Sequence, residues 1–548
     1  GTSGSSMQPK LTGADITEYL LEKSRVVGQS LGERNYHIFY QLLSDEKNHM
    51  GKAADYAYLN QSGCTAVDGI DDAAEYKLTR GSLAALGMSP AVQAMITSTI
   101  KGVLFLGNML FEDHASDVGD GSRVTAYSKT YLAKAVDCFA LESSETLHKA
   151  LTVRSILVHG EKIEVFLNPE QAGDARNALA KEVYELLFKF LVEQCNASLM
   201  PPQGVPEAGT ATKGEGIIGL LDIFGFEIFE TNSLEQLSIN FANEKLQQYF
   251  LNFVLKREQA LYEDEGVLVE HVEHNDNDAV LRLIEAPRVG IFHRLNDELK
   301  IPKPSDLNFL RMIKDDYQHM HKAAVAESTQ PLLHTDVKMP ATCFEVQHFA
   351  GTVRYDCTGF VEKNKDKLYD HLAEMLQTTT SEPFKQILAP LARSKAKNAT
   401  LLTDFQEQLS SLMHTLQISE PHFVRCVKSN STKSPGVLDP AMALEQLRYS
   451  GVLEAIQIRK TGYPIRRTLS QFYNNYWVLS EHSPKSDFFD KDSPLSDKDK
   501  CSLIIGDILG AEYGPGAELE PHMLLGKTMV LMRQPALTHL EASKMLWK

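Results

Sequence analysis

Out of the Gly- and Pro-rich stretch 201–216 comes a run of four apolar residues around one glycine, Ile217-Ile218-Gly219-Leu220-Leu221, which stops at a lone acid, Asp222. A short apolar run without alternation has no polar face to turn to water. It suits a strand buried on both faces, as in a parallel sheet flanked by helices. Helical patterns surround it. Apolar residues at three-to-four spacing (Ile16, Tyr19 and Leu20; Tyr36, Phe39, Tyr40 and Leu43; Val183, Leu186, Leu187, Phe190 and Leu191) predict a helical layer over 14–200, with polar loops at 60–72, 112–122 and 159–170. Ser233 opens S-x-x-Q, a capping box, and Leu234, Leu237, Phe241, Leu246, Phe250 and Phe253 carry one apolar face toward Tyr262, which predicts an unusually long helix. From Glu258 to Asp278 the chain holds eight acids and no Lys or Arg, the pattern of a solvated acidic face. Alternation over 344–349 and 352–355, broken at Ala350-Gly351, predicts a hairpin. The fold class is α/β.

Composition removes several functions. Asp plus Glu outnumber Lys plus Arg by 72 to 55, a net charge of −17, which argues against a surface made to coat nucleic acid or anionic lipid. Seven scattered cysteines without a CxxC fit a reducing, cytoplasmic setting and no zinc site. The longest apolar run, 216–226, is far short of the roughly 20 residues that span a bilayer and contains Asp222, so no membrane contact is expected. The first residue is Gly1 and the first Met is Met7, which suggests a fragment of a longer chain.

The chemistry is expected at Asp222-Ile223-Phe224-Gly225-Phe226-Glu227. A carboxylate at the carboxyl end of a buried strand can hold a magnesium-bound water, and a nearby Gly offers a bare N–H to a terminal phosphate. Taken alone, these six residues read more readily as an Asp closing a strand-to-helix turn with a Gly for its backbone.

The wider sequence resembles the myosin motor domain over nearly its whole length. Leu221 to Glu227 is similar to switch II, and Asn243-Glu-Lys-Leu-Gln-Gln248 to the relay helix. Further blocks keep family order: 19–25 (Y-L-L-E-K-S-R), 32–39 (G-E-R-N-Y-H-I-F), 58–63 (Y-L-N-Q-S-G), 359–366 (G-F-V-E-K-N-K-D) and 421–427 (P-H-F-V-R-C-V). The resemblance implies a P-loop NTPase-like core with a mainly parallel sheet, large helical insertions and a small α+β converter. It implies ATP and Mg2+ as cofactors, with Asp222 acting through a magnesium-bound water and not as a direct ligand, the Gly225 amide on the γ-phosphate, Glu227 closing the site, and Ile223, Phe224 and Phe226 in the same nucleotide-sensing loop. F-actin is the implied partner, and light chains or calmodulin would bind a lever beyond residue 548. Glu161, 16 residues before Asn177, occupies the place of an acidic or phosphorylatable residue in an actin-facing loop. Leu299, Ile301, Pro302 and Lys303 occupy an actin-binding tip, and Lys395 and Lys397 a short basic loop 2 at 391–400. Gly451 and Gly462 match hinge glycines. Phe423 and Val424 are expected in the core.

Two departures stand out. Neither G-x-x-x-x-G-K-[ST] nor the switch I motif N-x-N-S-S-R occurs in the 548 residues, so most of a nucleotide site is missing from the sequence and loss of an N-terminal part is expected. Where most myosins carry two reactive cysteines, this chain has Tyr449 and Arg459. The implied organisation is an upper helical subdomain (1–200), core strand and switch II (201–233), relay helix and loop (234–270), lower actin-binding subdomain (271–445), hinge helices (446–462), converter (463–535) and the start of a lever helix (536–548). The expected function is an actin-activated ATPase motor of the cytoskeleton. The rival is a non-catalytic actin-binding or scaffold protein derived from a motor domain. A kinesin or small-GTPase relative is disfavoured, because the residues after Asp222 differ from theirs.

Overall fold

The computed structural model describes residues 11–19, 21–29, 31–116, 119–158, 161–200, 216–267, 277–324, 332–335, 339–365, 368–393, 400–432, 434–452, 456, 460, 462–480, 495–513 and 522–547. Its chain divides into two compact units, each built from two separated segments: Gly1–Leu220 with Gly359–Glu420, and Leu221–Thr358 with Pro421–Lys548.

The first unit is helical. Its longest element, Pro169–Leu199, starts at an Asn168 cap with Pro169 in the first turn, where a missing N–H costs nothing. Val183, Leu186, Leu187 and Phe190 face the core, as their spacing predicts. Helix Pro90–Gly107 crosses close to Phe139, because Gly102 has no Cβ to hold it off. Phe139 stacks on Phe384 at 5.5 Å, and its carbonyl accepts from the Thr379 hydroxyl, which ties the second segment to the first. Three of the family-like blocks converge here: Arg25 reaches Glu33 and the Arg34 carbonyl, and Asn35 donates to the carbonyls of Val26 and Tyr58. These blocks hold the fold together.

Two expectations fail in this unit. Residues 112–122 and 159–170 are not simply loops: antiparallel hairpins pair Phe111–Ser116 with Gly119–Val124 and Val153–Val158 with Glu161–Phe166. The Ile16–Tyr19 pattern is not a helix either. That stretch runs along the end of Pro169–Leu199, with Ile16 bonded through both main-chain groups to the Asn196 carboxamide and the Ala14 amide donating to the Leu199 carbonyl. A few apolar residues at helical spacing, without a cap, do not nucleate a helix against such competition.

The second unit is organised on helix Leu234–Glu265, the long helix foreseen from the capping box; the Ser233 amide donates to Gln236 Oε1 at 3.0 Å. At about 1.5 Å per residue its 32 residues reach roughly 48 Å. Around it lie the foreseen hairpin Cys343–His348/Gly351–Asp356, the helices Asp278–Glu285, Ile291–Glu298 and Asp306–Ala324, and a terminal module. In that module strand Met529–Met532 lies between Ile465–Thr468 and Met523–Leu525, both antiparallel, against helices Leu469–Tyr476, Asp497–Tyr513 and Gln534–Trp547.

The mainly parallel sheet is the largest correction. Every sheet among the described residues is a two- or three-stranded antiparallel one, and the one parallel contact among them is the bridge Asn232–Tyr355. Residues 216–222 form no ladder, and Ile218 and Leu220 are 90% and 95% exposed. A doubly buried strand needs a hydrogen-bonded neighbour on each edge, and no described residue pairs with this one. Val424, expected in the core, is 84% exposed for the same reason: 421–428 is likewise without a ladder.

Candidate functional site

Loop Asp222–Phe229 is held from below by the long helix. Asn243 Nδ2 donates to the Phe224 carbonyl at 3.0 Å. One turn earlier, Asn240 clamps Glu227 through both main-chain groups: its Oδ1 accepts from the Glu227 amide and its Nδ2 donates to the Glu227 carbonyl, each at 2.8 Å. Gln236 Nε2 lies 3.4 Å from Glu227 Oε2. Asn232 fixes the loop's exit, bonding both main-chain groups of Phe229 and the Arg354 carbonyl. Three Asn residues on or just before one helix thus set the path of the loop.

On its outer side the loop is open. Asp222 and Gly225 are exposed, and a Cβ placed on Gly225 would meet no atom within 4 Å. Among the described residues no packing requires glycine there, so a bare backbone at this point fits close approach by an outside group. Gly225, Phe226, Glu227, Ile228, Phe229 and Glu445 line a cleft of about 410 Å³. Its two carboxylates disfavour a phosphate unless a cation or a basic side chain accompanies it. The groups that would suit a nucleotide are one exposed carboxylate, Asp222, for a magnesium-bound water and one bare amide, Gly225, for a terminal phosphate.

The far end of the long helix is bonded to the terminal module. Glu258 pairs with Arg466, and Tyr262 accepts from the Tyr463 amide at 3.0 Å. Glu265 takes bonds from the Thr528 hydroxyl and from the amides of Thr528 (2.8 Å) and Met529 (3.3 Å). Burial pushes the Glu265 carboxyl up, but these donors outweigh it and hold the group below the usual carboxylate range. The acidic stretch is therefore not all solvated: Glu258 and Glu265 are 5% and 6% exposed. Beside the middle of the long helix, Gly451 has φ 67°, and the Gln247 carboxamide occupies the place its Cβ would take. Phe423 is half-buried against Phe250, with ring centroids 4.7 Å apart. The other glycine, Gly462, is buried, and its carbonyl accepts from Arg533.

The tip at 299–305 joins helices Ile291–Glu298 and Asp306–Ala324. The buried Glu298 shapes it, accepting from the Ser305 amide at 2.7 Å and from Asn308 Nδ2 at 2.8 Å. Ile301, Pro302 and Lys303 are exposed and Leu299 is half-buried. Leu307, missed in the sequence, adds a second exposed apolar side chain. Glu161 opens a strand opposite Val158. Lys395, Lys397 and Arg459 lie outside the described residues. The buried polar residues Asn240, Glu244 and Gln247 were also missed. Their signal was a polar residue at successive core positions of an otherwise apolar stripe.

Loop Asp222–Phe229 is thus bonded to one end of the long helix and a small module to its other end. The myosin head (motor domain) family model matches residues 5–532, and this chain belongs to that family. It is 35% identical to Myosin-I heavy chain of Dictyostelium discoideum over 98% of this chain and 22% of that protein. It is 37% identical to Myosin IE heavy chain of the same organism over 85% of this chain and 46% of that protein. It is 36% identical to Myosin-1 of Arabidopsis thaliana over 86% of this chain and 40% of that protein. The chain thus spans less than half the length of these relatives. Among the described residues no helix is long and apolar enough to cross a membrane.

Proposed function

We propose that the chain is part of an actin-based motor in which ATP hydrolysis, carried out with a P-loop and switch I, is read by loop Asp222–Phe229 and passed along helix Leu234–Glu265 to the module 463–535 acting as converter. The observation that carries this reading is the continuous bonding of that one helix: Asn240 and Asn243 to the loop at one end, Glu258, Tyr262 and Glu265 to the module at the other. A rigid element tied at both ends can transmit a change of stance.

In this reading Asp222 holds a magnesium-bound water, the Gly225 amide faces the terminal phosphate and Glu227 closes the loop. Magnesium supplies charge neutralisation on the phosphates. Actin is met by the tip Leu299–Lys303, by Glu161 and by the loop of Lys395 and Lys397. Gly451 and Gly462 serve as hinges, and light chains or calmodulin bind beyond residue 548. The test joins the chain to a myosin segment bearing P-loop and switch I, then measures ATPase with and without actin filaments. Actin-activated turnover that Glu227→Ala abolishes, with nucleotide binding retained, is expected. A joined protein that binds filaments without turnover would favour the scaffold reading.

A further inference from the structure

Glu244, on the long helix, is wholly buried, and so is the side chain of His348, at the end of strand Cys343–His348. His348 Nδ1 lies 2.9 Å from Glu244 Oε1, which also accepts from the Phe349 amide at 3.0 Å, while Asn277 Nδ2 donates to Oε2. On the other side of the ring, Nε2 is 2.9 Å from the Tyr355 hydroxyl, and that hydroxyl is 2.9 Å from Asn240 Nδ2. Burial pushes the Tyr355 hydroxyl far above its ordinary range, so it keeps its proton.

The direction of every bond in this chain can be assigned. An amide nitrogen only donates, so Asn240 spends one hydrogen on the Glu227 carbonyl and the other on the Tyr355 oxygen. Tyr355 must then send its single hydrogen to His348 Nε2. An accepting Nε2 leaves the ring proton on Nδ1, pointed at the Glu244 carboxylate. A doubly protonated ring would aim a second donor at the Tyr355 oxygen and strand the hydroxyl hydrogen in the core without an acceptor. The chain runs one way, from the main chain of Glu227 to a buried carboxylate. The His348 ring also takes the edge of Phe226, with centroids 5.2 Å apart at 73°.

We propose that Tyr355, His348 and Glu244 are positioning residues for loop Asp222–Phe229. Their hydrogen-bond chain fixes the flip of the Asn240 carboxamide, and with it the stance of Glu227. The consequence for turnover rests on the reading of that loop as nucleotide-sensing; the positioning does not, and is measurable without nucleotide.

The experiment is amide hydrogen exchange on the 548-residue chain and its Tyr355→Phe and Glu244→Gln variants. Tyr355→Phe keeps the buried ring and removes only the link. Glu244→Gln puts an NH2 among donors. Each should speed exchange at the Glu227 amide about tenfold, the loss of one buried hydrogen bond, and leave amides of Pro169–Leu199 unchanged. In histidine-15N spectra the wild-type His348 ring, identified as the signal that moves in Tyr355→Phe, should show a protonated Nδ1 and a bare Nε2. Unchanged Glu227 exchange in Tyr355→Phe, or a protonated Nε2 in the wild type, overturns the proposal. If the exchange change appears but the chain joined to P-loop and switch I has no ATPase, the positioning stands and the motor reading falls. If ATPase is present, Tyr355→Phe should lower kcat several-fold with little change in KM.

Discussion

Gly451 is where a single added methyl has the clearest outcome. Its left-handed backbone costs a non-glycine residue roughly 1–2 kcal/mol, and the space a Cβ would need is occupied by Gln247. Gly451→Ala should lower the thermal transition of the second unit by several degrees; an unchanged transition in calorimetry would mean that Gln247 swings aside freely. Glu265 gives a pH-dependent counterpart. Its carboxyl is depressed in the folded chain, so the stability it contributes is complete above the unfolded value of about 4.3 and is lost as pH falls through the lower folded value. Glu265→Gln should therefore remove part of the acid sensitivity of the terminal module as pH falls below the ordinary glutamate range. It should also speed exchange at the Thr528 and Met529 amides near neutrality, by about tenfold. Equal acid midpoints in the two proteins, followed by tyrosine fluorescence, would assign the acid sensitivity to other groups. Little of this was legible in the sequence. Eight clustered acids look like a solvated face, and only the register of the long helix shows Glu258 and Glu265 turned onto its buried side.

Elements were legible where local chemistry decides them. The long helix followed from its capping box and apolar spacing, and the 343–356 hairpin from alternation broken at Gly351. Elements that need a remote partner were not. Ile217–Leu221 has the composition of a buried strand, yet its ladder depends on neighbours the described residues do not supply. The family-like order of the blocks told more than the blocks did, since residues in them such as Asn35 and Arg25 bond to other parts of the chain. The tip at 299–305 shows an element stabilised by one side chain. Glu298 is fully buried and satisfies two donors, so Glu298→Ala should leave the Ser305 amide and Asn308 unpaired at a cost of about 1–3 kcal/mol. The turn should then open more often, and trypsin should cut after Lys300 about tenfold faster. Cleavage at the wild-type rate would show the helices hold the turn without it. If the tip is an actin contact, filament pelleting should weaken in step.

For the molecule as a whole, the decisive fact is what loop Asp222–Phe229 has around it. Each unit is assembled from two separated segments, and loop Asp222–Phe229 belongs to the second with the long helix and the terminal module. The parts that would sense and transmit are thus gathered, whereas the parts that would grip phosphates, a glycine-rich cradle and its Lys, do not occur in the 548 residues. What remains offers one open backbone position at Gly225 and a cleft carrying Glu227 and Glu445. Two carboxylates beside a polyanion are unfavourable by a few kcal/mol at short range even with a screened dielectric, and a lone backbone N–H returns about 1.5–3 kcal/mol at most. The 548-residue chain should therefore bind a non-hydrolysable ATP analogue with magnesium only weakly, with a Kd above the micromolar range. Asp222→Ala should change that little, because the water it would hold belongs to a magnesium brought in with the phosphates. Isothermal titration of the chain and of the Asp222→Ala variant measures both. Submicromolar binding by the chain would mean that it makes a phosphate site without a P-loop, and the division of labour between gripping and sensing would have to be redrawn.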